Sequence, residues 1–367
     1  MTDKTIAIIS VARSDYGRLF PVIEKIKESP LFNLKFIAAG NHSSDKFGKS
    51  LKEIEASGVS VDLLISHKSE SMAEVSADIL TELSRWLEKE NPDCLIILGD
   101  RFEMLAASQA AFLTQVPIIH IGGGYETAGA IDDQIRHAIT HFSEVHLAAT
   151  EKCRKRIIGL LGHDKNVFLT GAPDLEILSR VEIISKESFY DSCNLEIDKP
   201  FVLVTLHPET LASEEENEKF VSEFEKFLIS IDEQILITAP CADPGSELIF
   251  KMIDSLKEQK SSVTYIESLG MKRYAAAMKY ALLMAGNSSS GIIESATMGT
   301  PVLNAGHRQK GRECNMNVIN SAFDSDELLM AYQRLKTPEF KKMVMKIENL
   351  YGDSGFSSKF INVLNNL

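Results

Sequence analysis

"YALLMAGNSSSGIIESATMGTPVLNAG", residues Tyr280–Gly306, sets one apolar run against a serine-rich turn, a helix-like stretch and a second apolar run. Tyr280–Gly286 reads as a strand, "GNSSSG" as the turn that opens a helix, and "PVLNAG" (Pro301–Gly306) as the next strand. A strand that turns straight into a helix and then into another strand is the repeating unit of a wound α/β sheet. Three hydroxyls and a bare glycine at the start of a helix also form a place where an anion can meet free backbone N–H groups. The bland alternative is a serine N-cap, but a cap uses one serine and not three.

The same unit recurs in both directions from this stretch. Toward the N-terminus, "FVLVTLH" (Phe201–His207), "QILITAP" (Gln234–Pro240) and "SVTYIE" (Ser262–Glu267) are further short apolar runs. In the first half the runs are Thr5–Ala12, Leu34–Gly40, Asp93–Gly99, Pro117–Gly122, Glu144–Thr150 and Asn166–Gly171, with a weaker one at Ser60–Ile65. Near-continuous Val, Ile and Leu is what parallel strands covered on both faces require. Between them lie amphipathic stretches such as Met72–Glu90, with apolar positions three and four apart. The acids of "SEEENEKF" are placed to open a helix, where they oppose the positive end of its dipole. The expected architecture is two doubly wound, Rossmann-like domains. The first spans residues 1–178 and carries the carboxylates. A polar linker follows over 179–199, and the second domain spans 200–367 and holds the nucleotide, its last helix free to pack back on the first. Such sheets bind ligands outside the C-terminal ends of their strands, so the expected active site is the cleft between the domains.

Composition narrows the classes. The 367 residues are 44% apolar and 25% charged, as in a globular protein. No run of about eighteen apolar residues is present, so no membrane span is expected. A net charge of -13 opposes nucleic-acid binding, which needs a positive surface. Five scattered cysteines without a CxxC pair favour neither a disulfide framework nor a zinc site. No HExxH or comparable metal motif occurs. The start of the chain lacks a signal-peptide pattern, and the cytoplasm is the expected compartment.

Several stretches carry chemistry where strands end. "VARSDYGR" puts Arg13 at the tip of the first strand, and "VTLHPET" puts His207 at the tip of the first strand of the second half. "IILGDRFEM" places Asp100 and Arg101 beyond a third strand, where Asp100 is either functional or the N-cap of the next helix. "HIGGGYETAGAIDDQIRHAIT" joins three glycines to Glu126, Asp132 and Asp133. Carboxylates beside such a turn suit acid–base work. Asp132 with Arg136, and Asp133 with His137, stand four apart and would also serve as helix-surface pairs. "GHRQKGRE" offers Arg308, Lys310 and Arg312, either a phosphate grip or a solvated basic loop. Glu294 follows the serines by one turn, in reach of ribose hydroxyls.

The ordered set "ARSDYG", "LGDRFEML", "GAIDDQIRHAIT", "TLHPET", "GNSSSGIIE" and "TPVLNAGHRQKGR" resembles the hydrolysing UDP-N-acetylglucosamine 2-epimerases of sialic- and legionaminic-acid biosynthesis, from Thr5 to about Asn320. The resemblance implies a GT-B-like pair of domains. It implies conversion of a UDP-2-acetamido sugar and water to UDP and the free 2-epimer, of N-acetylmannosamine type, through a glycal. It assigns catalytic roles to Asp100 and Asp132; the remaining proton-transfer role is expected to fall to Glu126 or to His207. The substrate-binding set is Arg13, Arg101, His207, Ser288, Ser289, Ser290, Gly291, Glu294, Arg308 and Arg312. No cofactor or metal is implied, and a homo-oligomer (dimer or tetramer) is expected. Two positions depart from the family pattern. Where its members carry Glu or His and then "GGE", this chain has Gly122 and Tyr125, with Glu126 displaced by one. Its "YPN" is "APC" here, with Ala239 and Cys241. The sugar is therefore either N-acetylglucosamine or a 2,4-diacetamido-trideoxy sugar, and the nucleotide UDP or GDP. A non-hydrolysing epimerase, a GT-B glycosyltransferase and a silent nucleotide-sugar binder are the alternatives.

Overall fold

The computed structural model describes residues 4–43, 50–69, 71–127, 131–241 and 245–367. The chain divides into two compact units: Met1–Tyr125 with Ile131–Ile177 and Tyr351–Leu367, and Glu126–Ala130 with Leu178–Leu350.

The first unit is built on seven strands: β1 (Lys4–Ser10), β2 (Phe32–Ala38), β3 (Leu63–Leu64), β4 (Cys94–Leu98), β5 (Ile118–Ile121), β6 (Val145–Ala148) and β7 (Val167–Leu169). They lie in the order β3-β2-β1-β4-β5-β6-β7, and every pairing is parallel. The period of two is visible in β1. Ile6 and Ile8 face one core, with Leu19, Val22 and Ile26 of the helix Arg13–Glu28. Ala7 and Ile9 face the other, with Ile79, Leu83 and Leu87 of the helix Met72–Glu90. That helix ends where Asn91 turns left-handed, a common helix stop. Phe356, Phe360 and Leu364 of the helix Phe356–Asn365 complete the first of these cores.

The second unit has six strands: β8 (Phe201–Thr205), β9 (Gln234–Thr238), β10 (Val263–Ile266), β11 (Leu283–Gly286), β12 (Val302–Ala305) and β13 (Val318–Ser321). Their order is β10-β9-β8-β11-β12-β13, again parallel throughout. The acids of "SEEENEKF" do open a helix, Glu214–Ser230, closed by a capping box between Ser213 and Glu216. Residues 179–199, expected as a linker, belong to this unit. The helix Lys186–Ser192 buries Phe189 and Tyr190 against Phe201 and Leu203 of β8. Polar composition misled here because its few apolar residues, Cys193 and Leu195 among them, are nevertheless buried in that core.

In both sheets the strand order reverses at one place, between β1 and β4 and between β8 and β11. Loops that leave neighbouring strands there run to opposite faces and leave a crevice at the strand ends. The β8/β11 junction is tight. Gly286 has φ +134, and a Cβ on it would lie 2.1 Å from the Thr205 carbonyl oxygen. Gly286→Ala is expected to destabilise the second unit by about 2–3 kcal/mol through overpacking and backbone strain. Urea unfolding followed by circular dichroism checks this; a change below about 0.5 kcal/mol would mean that the junction yields.

Candidate functional site

Beyond β4 the chain turns through Gly99 to Asp100, and the helix Phe102–Leu113 begins. Arg101 holds the N-cap position, without a side-chain cap bond, so Asp100 is not the cap. Its carboxylate instead accepts from Arg136, from Nε at 3.0 Å and from Nη2. The Arg136 side chain has no solvent exposure. It also donates Nη1 to Asp133 Oδ1 at 2.5 Å and to the Tyr125 carbonyl at 2.8 Å. Arg136 thus ties the β4 loop, the β5 loop and the first turn of the helix Asp132–Phe142 together. Four-residue spacing pointed to Asp132 with Arg136 and Asp133 with His137; the structure pairs Arg136 with Asp133, three residues away. Asp132 stands half-buried at the first position of the same helix.

His120 of β5 lies beneath this turn, fully buried, with Nε2 2.9 Å from the Gly99 carbonyl. Burial lowers its pKa to about 4. The ring is therefore neutral near pH 7, with its proton on Nε2, since a carbonyl only accepts. Beyond β1, Arg13 opens the helix Arg13–Glu28 and pairs with Glu53 at 2.8 Å, both side chains exposed. An exposed pair of this kind contributes at most about 1 kcal/mol. Arg101 lies 3.7 Å from Asp15, and Arg18 bonds Asp174 at 2.8 Å.

In the second unit His207 follows β8 and is buried. Its Nδ1 accepts from the Cys241 N–H at 3.0 Å. Burial, with Arg308 nearby, lowers its pKa to about 3. The neutral ring therefore carries its proton on Nε2 and can donate it to an anionic oxygen. Asn287, fully buried just past β11, holds both ends of the His207 backbone, accepting from its N–H and donating to its carbonyl, each at 2.8 Å. The Asn287 carbonyl in turn accepts from Arg308 Nη1 at 3.3 Å and Gln309 Nε2 at 2.9 Å. Glu209 accepts from the backbone N–H groups of His307 and Arg308. The loops after β8, β11 and β12 are thereby locked to one another.

Ser288 takes the N-cap position of the short helix Ser289–Ile293, yet its side chain makes no cap bond. Its hydroxyl bonds Ser290 at 3.0 Å, and Ser290 bonds the Tyr274 hydroxyl at 2.6 Å. Ser289 is half-buried, Gly291 is buried, and Glu294 ends the helix, half-buried. Arg312 is half-buried in the loop after β12.

A model of the UDP-N-acetylglucosamine 2-epimerase family matches residues 24–365. The chain belongs to that family. It is a nucleotide-sugar 2-epimerase by family. A Campylobacter jejuni relative named GDP/UDP-N,N'-diacetylbacillosamine 2-epimerase (hydrolyzing) is 31% identical over 93% of this chain and 90% of its own. A Legionella pneumophila relative named UDP-N,N'-diacetylbacillosamine 2-epimerase (hydrolyzing) is 30% identical over 98% of this chain and 95% of its own. The solved Methanocaldococcus jannaschii UDP-GlcNAc 2-epimerase, in complex with UDP-GlcNAc and UDP, superposes with a TM-score of 0.80 at 17% identity, covering 99% of this chain and all of its own. That likeness establishes the fold, two Rossmann-like units of the GT-B-like class.

At the departures Gly122 and Tyr125 the loop is packed. Gly122 has φ +85, and a Cβ on it would sit 3.7 Å from Tyr125 Cε2. The Tyr125 ring lies 6.1 Å from that of Tyr351. Glu126 packs across Gly311 in the second unit, where a Cβ would come within 2.7 Å of the Glu126 Cβ. The Arg136 hub and the Asn287 and Glu209 clamps were not foreseen. Each is a side chain bonding a residue 36 to 99 positions away, and spacing along one helix or loop carries no sign of that.

Proposed function

We propose that this epimerase acts on a UDP-2,4-diacetamido-trideoxy sugar, with water, to give UDP and the free 2-epimeric sugar. The observation that carries the sugar assignment is the similarity, over nearly the whole chain, to two relatives whose names specify that substrate class. The compartment that goes with this role is the cytoplasm; no helix among the described residues is long and apolar enough to cross a membrane.

In this reading one carboxylate removes the C2 proton while the C1–O electron pair leaves with the diphosphate, forming the C1=C2 bond of a glycal. Water then bonds C1, and C2 takes a proton on its other face. Asp100 and Asp132 handle protons. The negative charge that develops on the leaving group is met by the His207 Nε2–H, by Arg308 and by the hydroxyls of Ser288, Ser289 and Ser290, donors aimed in advance where charge appears. Glu294 serves the ribose, and Arg13, Arg101 and Arg312 add positive potential. Glu126 takes part from its seat on Gly311.

A panel of nucleotide sugars read by mass spectrometry tests the assignment. Free 2,4-diacetamido-trideoxy product with UDP is expected. Free N-acetylmannosamine from UDP-N-acetylglucosamine at higher kcat/KM reassigns the sugar, an intact UDP-sugar product means a non-hydrolysing enzyme, and saturable binding without turnover means a silent binder. For the diphosphate site, Ser289→Glu sets a carboxylate against the ligand. UDP affinity measured by calorimetry should fall more than about 10-fold, or 1.4 kcal/mol; unchanged affinity sinks the site.

A further inference from the structure

A third acidic group stands at the same end of the first sheet. Asp15 lies in the first turn after β1, the neighbour of β4, whose loop carries Asp100. It is 4% exposed. Among the described residues, its Oδ1 accepts only from the Ser14 hydroxyl, at 3.4 Å, and its Oδ2 has no hydrogen-bond partner. Arg101 Nε, at 3.7 Å from Oδ2, is beyond hydrogen-bond reach. Glu103, 3% exposed, likewise has an Oε2 without a partner.

A buried carboxylate with only one long hydrogen bond is costly to ionise. Burial pushes the Asp15 pKa up, against the pull of Arg101 and Arg18, and the charge of Asp100 adds to the rise. Glu103 is also pushed up, by burial first, with Asp15 contributing. Paired acids in such surroundings share out proton-holding and proton-taking roles. The reaction needs a proton donor at C2 in its second half. Gly122 and Tyr125 supply no carboxyl for it.

Resting on the functional reading above, we propose that Asp15 is the acid of the hydration step, the group that gives C2 its new proton. The π electrons of the C1=C2 bond take the Asp15 proton at C2, the water oxygen bonds C1, and the water's proton passes to the Asp15 carboxylate left behind. Asp15 ends the step as it began, and the proton removed from C2 in the elimination leaves to solvent.

The test uses Asp15→Asn and Asp15→Glu in the full chain, with the nucleotide sugar that the wild-type enzyme turns over and, separately, with UDP and the glycal added together. Asp15→Asn is expected to release UDP within about 10-fold of the wild-type rate, but to release the glycal in place of the 2-epimer. Its hydration of added glycal should fall by about 10²-fold or more, the range of one proton-transfer group. Asp15→Glu should recover part of it, and calorimetric UDP affinity should hold within a few-fold in both. Three results overturn the proposal: near-normal 2-epimer from Asp15→Asn, equal loss of UDP release and glycal hydration, or loss of fold in both variants. A wild-type enzyme silent on every nucleotide sugar sinks the functional reading itself. A working wild-type enzyme beside an Asp15→Asn variant with normal product sinks only this inference.

Discussion

Asp100→Asn should lower UDP release at saturating substrate by about 10²–10⁴-fold, the range set by a group that moves a proton. UDP affinity should stay within a few-fold. The amide keeps one oxygen to accept from Arg136 Nε and Nη2, so the β4 loop retains its anchor. What it loses is the ability to take a proton. An interaction needed mainly in the transition state lowers kcat and spares binding. Stopped assays that quantify UDP, together with calorimetric titration of UDP, separate the two. A variant with near-normal turnover would make Asp100 a structural counter-ion for Arg136 and nothing more.

Arg136→Met should cost about 3 kcal/mol of stability, the low end for breaking a buried ion pair, because it leaves two half-buried carboxylates uncompensated. Those partners are Asp100 and Asp133, with the Tyr125 carbonyl losing its donor as well. The arginine is fully buried, so water does not take its place. Arg136→Lys should recover only part, since an ammonium cannot fork to Asp100 through two N–H groups while reaching Asp133 and Tyr125. Denaturant titration of the three proteins measures this. A methionine variant within about 1 kcal/mol of wild type would show that the ring of contacts around Arg136 closes without it.

Much of this architecture is legible in sequence because buried parallel strands leave few choices. Val, Ile and Leu runs such as Phe201–Thr205 and Cys94–Leu98 can satisfy their backbone only inside a covered sheet. The strand β13 escaped notice. "VINS" has two polar residues among four and sits on a sheet edge, where alternation is weak evidence. The candidate site divides in the same way. His207, Asp100 and the serines follow recognisable strands, so their place at the strand ends is readable. The clamps are not: Asn287 lies within the quoted serine turn, but its bonds to His207 span 80 residues. Gly122 and Tyr125 stood out as departures, yet only coordinates put the tyrosine ring against the space over the glycine.

The return of residues 351–367 to the first unit has a consequence for how the protein is made. All seven strands of that unit leave the ribosome by residue 169, but Phe356, Phe360 and Leu364, which seal one face of its sheet, come only after the whole of residues 178–350. On the growing polypeptide, Leu19, Val22 and Ile26 await their covering helix while the second sheet assembles and closes. Domains complete themselves as units when their last buried residues arrive. In this nascent chain the half synthesised first is therefore the half finished last, and its apolar face stays open until translation passes Leu364.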